Sequence, residues 1–243
     1  MKTRMLIPSA LVITILTFAL GFGGNTTLEK RTGTSRLNRG RLMTTYGYRD
    51  GDVLVQHLKN PLGELICAVT QSRYSHCGMV VHLNGAPHVL EAIGPVKHTP
   101  LKQWISQGYG GRYLHLRPRN LSPKQICGAI ATASRMVGRP YDFQYELDDE
   151  KIYCSELIYK AFLRGAGLEI GRKQKLREMN WAPYVYAIKA VTGGKLPLDR
   201  VMVTPESIAV DSDLVPASNR FNAMKRKPKS SKLRAVRTPG YCS

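Results

Sequence analysis

Residues 153–165 decide the fold prediction, and they read YCSELIYKAFLRG. Their apolar side chains recur at the spacing of one buried helix face, at Leu157, Ile158, Ala161 and Phe162. The pattern predicts a helix from Cys154 to about Arg164, with Gly165 as its end. Cys154 therefore falls in the first helical turn, on the buried face.

A cysteine at the start of a helix has a specific chemistry. The positive end of the helix dipole and the free backbone amides favour the thiolate, which lowers a thiol pKa that begins near about 8.5. The same amides, including the N–H of Cys154, can hold an oxyanion. The structural alternative is that Cys154 is a small hydrophobic residue on the core face of the helix.

Strand patterns precede this helix. Short apolar or alternating runs occur at 52–56 (DVLVQ), 78–83 (GMVVHL), 88–93 (HVLEAI) and 113–117 (YLHLR). The second and third runs are separated by NGAP at 84–87, which indicates a hairpin with a turn of two to four residues.

One further helix is predicted before the Cys154 helix, and another is predicted after it. Ser122 and Gln125 form a capping-box pattern around Pro123, and the helix that follows is predicted to close at Gly138. Thr204 opens a short last helix. Antiparallel strands combined with flanking helices indicate an α+β fold.

A thiolate nucleophile requires a base that later returns the proton to the leaving group, and histidine suits this near neutral pH. The sequence has six histidines, at positions 57, 76, 82, 88, 98 and 115. His76 lies at the mouth of an apolar strand, where its ring can face a cleft. The others fall within strand patterns or in loops, so His76 is the preferred candidate.

The base in turn needs an acceptor that orients it. Glu91 lies in the second hairpin strand among apolar residues, where an acid is costly unless it has a partner. The simplest hairpin register places Glu91 opposite Val80, on the face of His76 but a few residues away. A bend or a shifted register is then required to join them. The alternative is an acid on a solvated strand face.

Several motifs, taken in order, resemble the permuted papain-like cysteine hydrolases of the YiiX/YebB group, relatives of the NlpC-like peptidoglycan peptidases. In chain order the matching pieces are GDVLVQ at 51–56, YSHCGMV at 74–80, VLEA at 89–92, TPL at 99–101, GRPYD at 138–142, YCSEL at 153–157 and TPE at 204–206. The resemblance covers about residues 48–210.

The resemblance implies a role for particular residues. It makes Cys154 the nucleophile, His76 the general base and acid, and Glu91 the residue that orients His76. Asp52 matches a position near the cleft, although it can also cap a turn.

Two tyrosines, Tyr141 and Tyr153, are candidates for lining the site or completing the oxyanion hole. The family fold is α+β, with barrel-like antiparallel strands packed against the cysteine-bearing helix. Cys77 departs from the branched apolar residue expected there, and its side chain is expected on the face opposite to His76.

The implied activity is hydrolysis of amide bonds, or of esters, through a Cys thioester. The substrates implied are cell-wall peptides, including peptidoglycan, or amino-acid conjugates. One alternative is acyl transfer from lipid, as in the related lecithin:retinol acyltransferase group. Another is a binding module without catalysis. No cofactor is expected.

The charge lies mainly at the ends of the 243-residue chain, whose net charge is +19. Residues 1–40 carry six basic side chains and one acid, and residues 218–243 carry eight basic side chains and no acid. Basic ends of this kind are attracted to an anionic membrane or wall polymer. The sequence has no nucleic-acid-binding motif.

The predicted organisation has four parts. Residues 1–22 form a signal peptide or, through the apolar stretch 5–22, a membrane anchor, so the protein is expected to be exported to the periplasm. A flexible linker at 23–47, a hydrolase domain at 48–217 and a disordered basic tail at 218–243 follow.

Five cysteines, at positions 67, 77, 127, 154 and 242, show no metal-binding spacing. In an oxidising compartment an odd number leaves at least one thiol free, and the sequence does not say which.

Overall fold

A computed structural model describes residues 47–217, which contain eight β-strands and six α-helices. In chain order these are β1 (Val53–Leu58), α1 (Pro61–Thr70), β2 (His76–Leu83), β3 (Ala86–Ala92), β4 (Val96–Pro100), α2 (Leu101–Gln107), β5 (Gly108–Pro118), α3 (Pro123–Ser134), α4 (Cys154–Ala166), β6 (Lys173–Lys175), α5 (Val185–Val191), β7 (Val201–Val203), α6 (Pro205–Ala209) and β8 (Leu214–Pro216). Two 3₁₀ turns, Leu176–Glu178 and Ala182–Tyr184, lie between β6 and α5.

Six strands form one antiparallel sheet in the order β4-β3-β2-β1-β5-β8, and β6 pairs with β7 in a separate two-stranded sheet. Helices cover both faces of the larger sheet. The predicted α+β class is therefore confirmed.

The register of the β2–β3 hairpin differs from the predicted one. Val80 lies opposite Val89 and Met79 opposite Leu90, so the expected pairing of Glu91 with Val80 is wrong by two residues. The turn contains only Asn84 and Gly85, both with positive φ, which is the two-residue turn that matches strand twist. The shorter turn moves Glu91 two residues toward His76, and no strand bend is needed.

The two faces of β2 pack against different helices. Cys77, Met79 and Val81 enter the main core, which they share with α3 and α4. Val80 belongs to a second cluster on the other face, together with the fully buried Trp104 of α2. Strand alternation thus sends neighbouring side chains of β2 to opposite layers.

The predicted cap of α3 is confirmed. The N–H of Gln125 donates to the Ser122 hydroxyl at 3.3 Å, and the N–H of Ser122 donates to the Gln125 side chain at 3.1 Å. The helix ends at Ser134 with Arg135 as its C-cap, so the predicted end at Gly138 lies three residues too far along the chain.

Gly165 does not end α4 as predicted. The helix continues to Ala166 and ends at Gly167, whose φ of 69° is left-handed. A Cβ on Gly165 would lie 2.2 Å from the backbone oxygen of Gly128 in α3. The glycine therefore serves close packing of the α3 and α4 backbones, which a sequence pattern within one helix does not reveal.

The predicted leader at 1–22, its alternative anchor at 5–22, nearly all of the linker at 23–47 and the tail at 218–243 lie outside the described residues. Within residues 47–217, no helix has the length and apolar character needed to cross a bilayer. Cys67, Cys77 and Cys154 have free thiols, whereas Cys127 is disulfide-bonded.

Candidate active site

Three separate elements bring together the three side chains predicted to carry the chemistry. His76 is the first residue of β2, Glu91 lies in β3, and Cys154 is the first residue of α4. Nε2 of His76 lies 2.5 Å from Oε2 of Glu91, and the side chains are 2% and 0% exposed. The other side of the imidazole interacts with the Cys154 thiol. These contacts form a Cys–His–Glu arrangement inside the protein.

Glu91 is held in place by two further residues that sequence reasoning missed. The Thr99 hydroxyl donates to Oε1 of Glu91 at 2.5 Å, and the Gln107 side chain donates to the same oxygen at 3.4 Å. Burial raises the pKa of Glu91, but the bond and charge of His76 and these two donors lower it below its ordinary value. The TPL motif contained Thr99, yet nothing in it indicated a contact with an acid on the next strand.

The imidazole of His76 is enclosed. It is 1% exposed, and its ring centroid lies 6.1 Å from that of Trp104. Burial lowers the pKa of His76, but its bonds to Cys154 and Glu91 and their negative charges raise it to about 10. Because Nε2 is occupied by Glu91, Nδ1 is the nitrogen that serves Cys154.

The start of α4 fixes the Cys154 sulfur. The Ser155 hydroxyl donates to the backbone oxygen of Val203 at 2.8 Å, and the N–H of Tyr153 donates to Glu156 at 3.1 Å. The pKa of Cys154 lies well below its usual range. A hydrogen bond from Cys77 contributes most to the lowering, burial opposes it, and the bond and charge of His76 reinforce it.

Cys77 is close to Cys154, which the sequence did not predict. Its side chain leaves β2 on the face opposite to His76, as expected, and that face is the one covered by α4. Both its thiol and its backbone interact with the Cys154 sulfur. Strand alternation sends Cys77 to this face, and the packing of α4 on the same face brings it to Cys154. The alternation can be predicted from the sequence, whereas the packing of α4 is seen only in the fold.

The two predicted tyrosines occupy different positions. Tyr141 borders the same cavity as His76, and it interacts with Tyr145 and Cys154. Burial first, and then these neighbours, raise the pKa of Tyr141, so its hydroxyl stays a donor. The Tyr153 hydroxyl instead accepts a bond from the N–H of Val203 at 3.1 Å. Tyr153 therefore anchors β7 and lines a cavity, and its hydroxyl is not turned to the imidazole.

Asp52 belongs to another cluster and not to the cleft. It accepts hydrogen bonds from His115 at 2.7 Å, from Arg117 at 2.7 Å and 2.8 Å, and from the N–H of Arg49 at 2.9 Å. Tyr48 stacks on the His115 ring at 4.7 Å. Asp52 lines a cavity other than the two that border Cys154 and His76, and its bond from the Arg49 N–H closes a turn.

Each member of the Cys154–His76 pair borders a cavity. Cys154 borders an almost wholly apolar cavity of about 690 Å³, including its part open to solvent, whose walls come from α1, α5 and β7. His76 and Tyr141 border a second cavity of about 560 Å³ on the same measure. Leu62 and Ile66 of α1 line both cavities, so the two cavities are neighbours.

The sequence matches a known family. The sequence model of the permuted papain-like amidase enzymes YaeF/YiiX, the C92 family, matches residues 47–215. The chain belongs to this family. As a YaeF/YiiX-type protein it is an enzyme of the cysteine hydrolase class, in which the histidine strand precedes the cysteine helix.

The chain is similar to YiiX from two strains of Escherichia coli. The uncharacterized protein YiiX of strain K12 is 39% identical over 161 residues, which are 65% of this chain and 80% of that protein. The crystal structure of YiiX from strain O157:H7 is 38% identical, with a TM-score of 0.66, over 70% of this chain and 96% of that one.

The O157:H7 protein has been described as a metalloprotein. In the described part of this YaeF/YiiX-type chain, no three His, Cys, Asp or Glu side chains are gathered so that they could hold a metal ion. The groups at the site that can transfer protons are the Cys154 thiol, the His76 imidazole and the Glu91 carboxylate.

The lowered thiol pKa leads to a test that has an internal control. We expect iodoacetamide to alkylate Cys154 at a lower pH than an ordinary thiol, because the pKa of Cys154 lies well below its usual range. Cys67 is a buried free thiol whose pKa burial raises, so it should react only at alkaline pH. Peptide mapping of labelled protein across pH measures both sites at once. Identical pH profiles for the two cysteines would contradict activation of Cys154.

Proposed function

We propose that this protein hydrolyses amide bonds through a thioester on Cys154. The observation that carries the proposal is the buried contact series from Glu91 through His76 to Cys154, assembled from three distant stretches of the chain. Each member has the group that its role requires: a carboxylate that accepts, an imidazole that transfers a proton, and a thiol at a helix start.

In the first half-reaction the Cys154 thiolate attacks the amide carbonyl carbon. The backbone amides at the start of α4, with the Tyr141 hydroxyl as a further donor, stabilise the oxyanion. The C–N bond then breaks while His76 gives the proton on Nδ1 to the leaving amine. Glu91 keeps the ring oriented and stabilises its positive charge. The acyl group remains on sulfur as a thioester.

In the second half-reaction a water molecule enters from the side of the departed amine. Neutral His76 accepts a proton from this water, whose oxygen attacks the thioester carbonyl. The C–S bond breaks, the carboxylic acid leaves, and the thiolate–imidazolium pair is restored. Each His76 proton transfer requires Nδ1, which is free of Glu91.

The two cavities indicate how the substrate lies. An acyl group bound to sulfur has to occupy the space next to Cys154, which is the apolar cavity. The leaving amine receives its proton from His76 and therefore leaves through the second cavity. An apolar acyl pocket supports amino-acid conjugates as substrates more than cell-wall peptides, whose acyl side is polar.

A second candidate function is acyl transfer from lipid, and the same apolar cavity favours it. Leu65, Ile188 and Met202 offer an acyl chain no polar partner, so a chain from a phospholipid ester would fit as well as one from an amide. The two functions differ in the bond attacked and share the thioester.

The acyl group trapped on the protein decides between these functions. The enzyme would be mixed separately with an N-acyl amino acid, a phospholipid and a muropeptide, then quenched in acid and weighed by mass spectrometry. We expect a Cys154 acyl adduct from the N-acyl amino acid. An adduct from phospholipid alone would select acyl transfer, and one from the muropeptide alone would contradict the apolar acyl pocket.

Filling the apolar cavity is expected to affect long acyl groups selectively. Val191 lines it from α5, so Val191→Trp should reduce kcat/KM for long-chain substrates by about 10-fold or more, with short-chain substrates nearly unaffected. Kinetics on an acyl-length series measure the effect. Val210→Trp at a site that is 67% exposed is the matched control. Equal losses at all chain lengths would argue against an acyl pocket.

We further propose an extracytoplasmic location. The positively charged start and apolar stretch 5–22 support export or anchoring, and the basic ends of the chain support attraction to an anionic membrane or wall polymer. The disulfide at Cys127 suits an oxidising compartment. Fractionation of cells that express the full chain tests this location.

A further inference from the structure

We propose that Cys77 is a resolving thiol, which forms a reversible disulfide with Cys154 when a hydroperoxide oxidises the nucleophile. The inference rests on the proposed reactivity of Cys154. It adds a second state of the site, in which the enzyme is inactive and protected from irreversible oxidation.

The position of Cys77 supports this pairing. The two cysteines belong to the same buried cluster, and β2 directs Cys77 to the face on which α4 begins. The thiols of Cys77 and Cys154 interact with each other, and each changes the pKa of the other. Cys77 is fully buried, which leaves Cys154 as its available reaction partner.

The other described cysteines are arranged differently. Cys67 lies in α1, where its thiol interacts with Ser75, and Cys127 is disulfide-bonded. Cys77, in contrast, interacts with the Cys154 sulfur through both its thiol and its backbone. Cys67 therefore offers a matched control: a buried free thiol that does not belong to the pair.

The chemistry proceeds in two balanced steps. The Cys154 thiolate attacks one oxygen of the hydroperoxide, the O–O bond breaks, and Cys154 sulfenic acid and an alkoxide or hydroxide form. The Cys77 thiol then attacks the sulfenic sulfur, and the S–O bond breaks. The hydroxide leaves as water with the proton of Cys77. The two thiols lose two electrons and two protons, and the hydroperoxide is reduced to an alcohol or water.

The pKa values of the two thiols decide which of these steps comes first. Burial raises the pKa of Cys77, and the bond to Cys154 and its negative charge raise it further. Cys77 therefore stays a thiol while Cys154 is the thiolate, and the oxidant reacts at Cys154 first. Once Cys154 is a neutral sulfenic acid, that charge is gone and Cys77 ionises more readily. A hydroperoxide can reach the sulfur through the apolar cavity, which Cys154 lines.

The test treats the full-length protein with hydrogen peroxide and measures both activity and mass. We expect the wild type to lose activity, to lose two hydrogens in mass, and to yield a cross-linked peptide pair that contains Cys77 and Cys154. Dithiothreitol should restore both the activity and the original mass. Cys67→Ala should give the same result.

Cys77→Ala and Cys77→Ser should instead gain two oxygens at Cys154, and dithiothreitol should not recover them. A wild type that gains two oxygens at Cys154 without cross-linking would overturn the proposal. So would full recovery of both Cys77 variants by dithiothreitol. Because the cross-link is read by mass, it is independent of which substrate the enzyme uses. Activity without oxidant, measured separately, reports on the proposed function.

Discussion

Replacing Cys154 with alanine is expected to reduce hydrolysis by roughly 10⁶-fold, the scale of losing a covalent nucleophile, while the protein folds normally. The thioester cannot form without sulfur, and neither His76 nor Glu91 can replace it. Stability should change by only about 1 kcal/mol, because the substitution removes one atom from a buried site. Turnover of an N-acyl amino acid and thermal unfolding measure the two effects.

The matched control is Cys67→Ala, which makes the same change at another buried free thiol and should leave turnover unchanged. Mass spectrometry adds a second readout, because Cys154→Ala should also lose the acyl adduct. Substantial turnover by Cys154→Ala, with correct folding, would refute the assignment of the nucleophile.

Replacing His76 with alanine should impair both activity and stability. Loss of the general base and acid should lower kcat by about 10²–10⁴-fold. The change also leaves the Glu91 carboxylate fully buried with only Thr99 and Gln107 as partners, and breaking such a buried pair costs about 3–5 kcal/mol. Steady-state kinetics and urea unfolding measure these losses. The matched control is His88→Ala, another histidine of the hairpin, which bonds only to the backbone oxygen of Ala86.

Adding Glu91→Gln to His76→Ala separates the two effects. The amide removes the buried charge, so the double variant should regain much of the lost stability without regaining activity. If the double variant is less stable than His76→Ala, the buried charge is not the cause of the instability. If it regains activity, His76 is not the base.

The pH dependence of stability should reflect the same pair. The pKa of His76 is raised to about 10 from its ordinary 6.5, so its contribution is complete below pH 6.5 and is lost as the pH rises through about 10. The pKa of Glu91 is lowered from its ordinary 4.5, so its contribution is present above pH 4.5 and is lost as the pH falls through the lowered value. The contacts of His76, with Cys154 first and then Glu91, should therefore stabilise the wild type most between pH 4.5 and 6.5, and the double variant should lack this profile.

Local patterns in the sequence were enough to predict the α+β class and the cysteine at the start of α4. They also indicated the cap formed by Ser122 and Gln125 and the hairpin around Gly85. Helical spacing, capping and turn chemistry depend on residues a few positions apart, which a single sequence displays directly. The family resemblance then assigned His76, Glu91 and Cys154 to one catalytic set.

Contacts between distant residues required the tertiary structure. The two-residue turn, and not a longer one, set the register that joins His76 to Glu91. The close approach of α3 explained Gly165. The packing of α4 on one face of β2 brought Cys77 to Cys154. The apolar cavity has walls from α1, α5 and β7, which are far apart in the chain. Such contacts depend on how layers pack, and local pattern does not encode that packing.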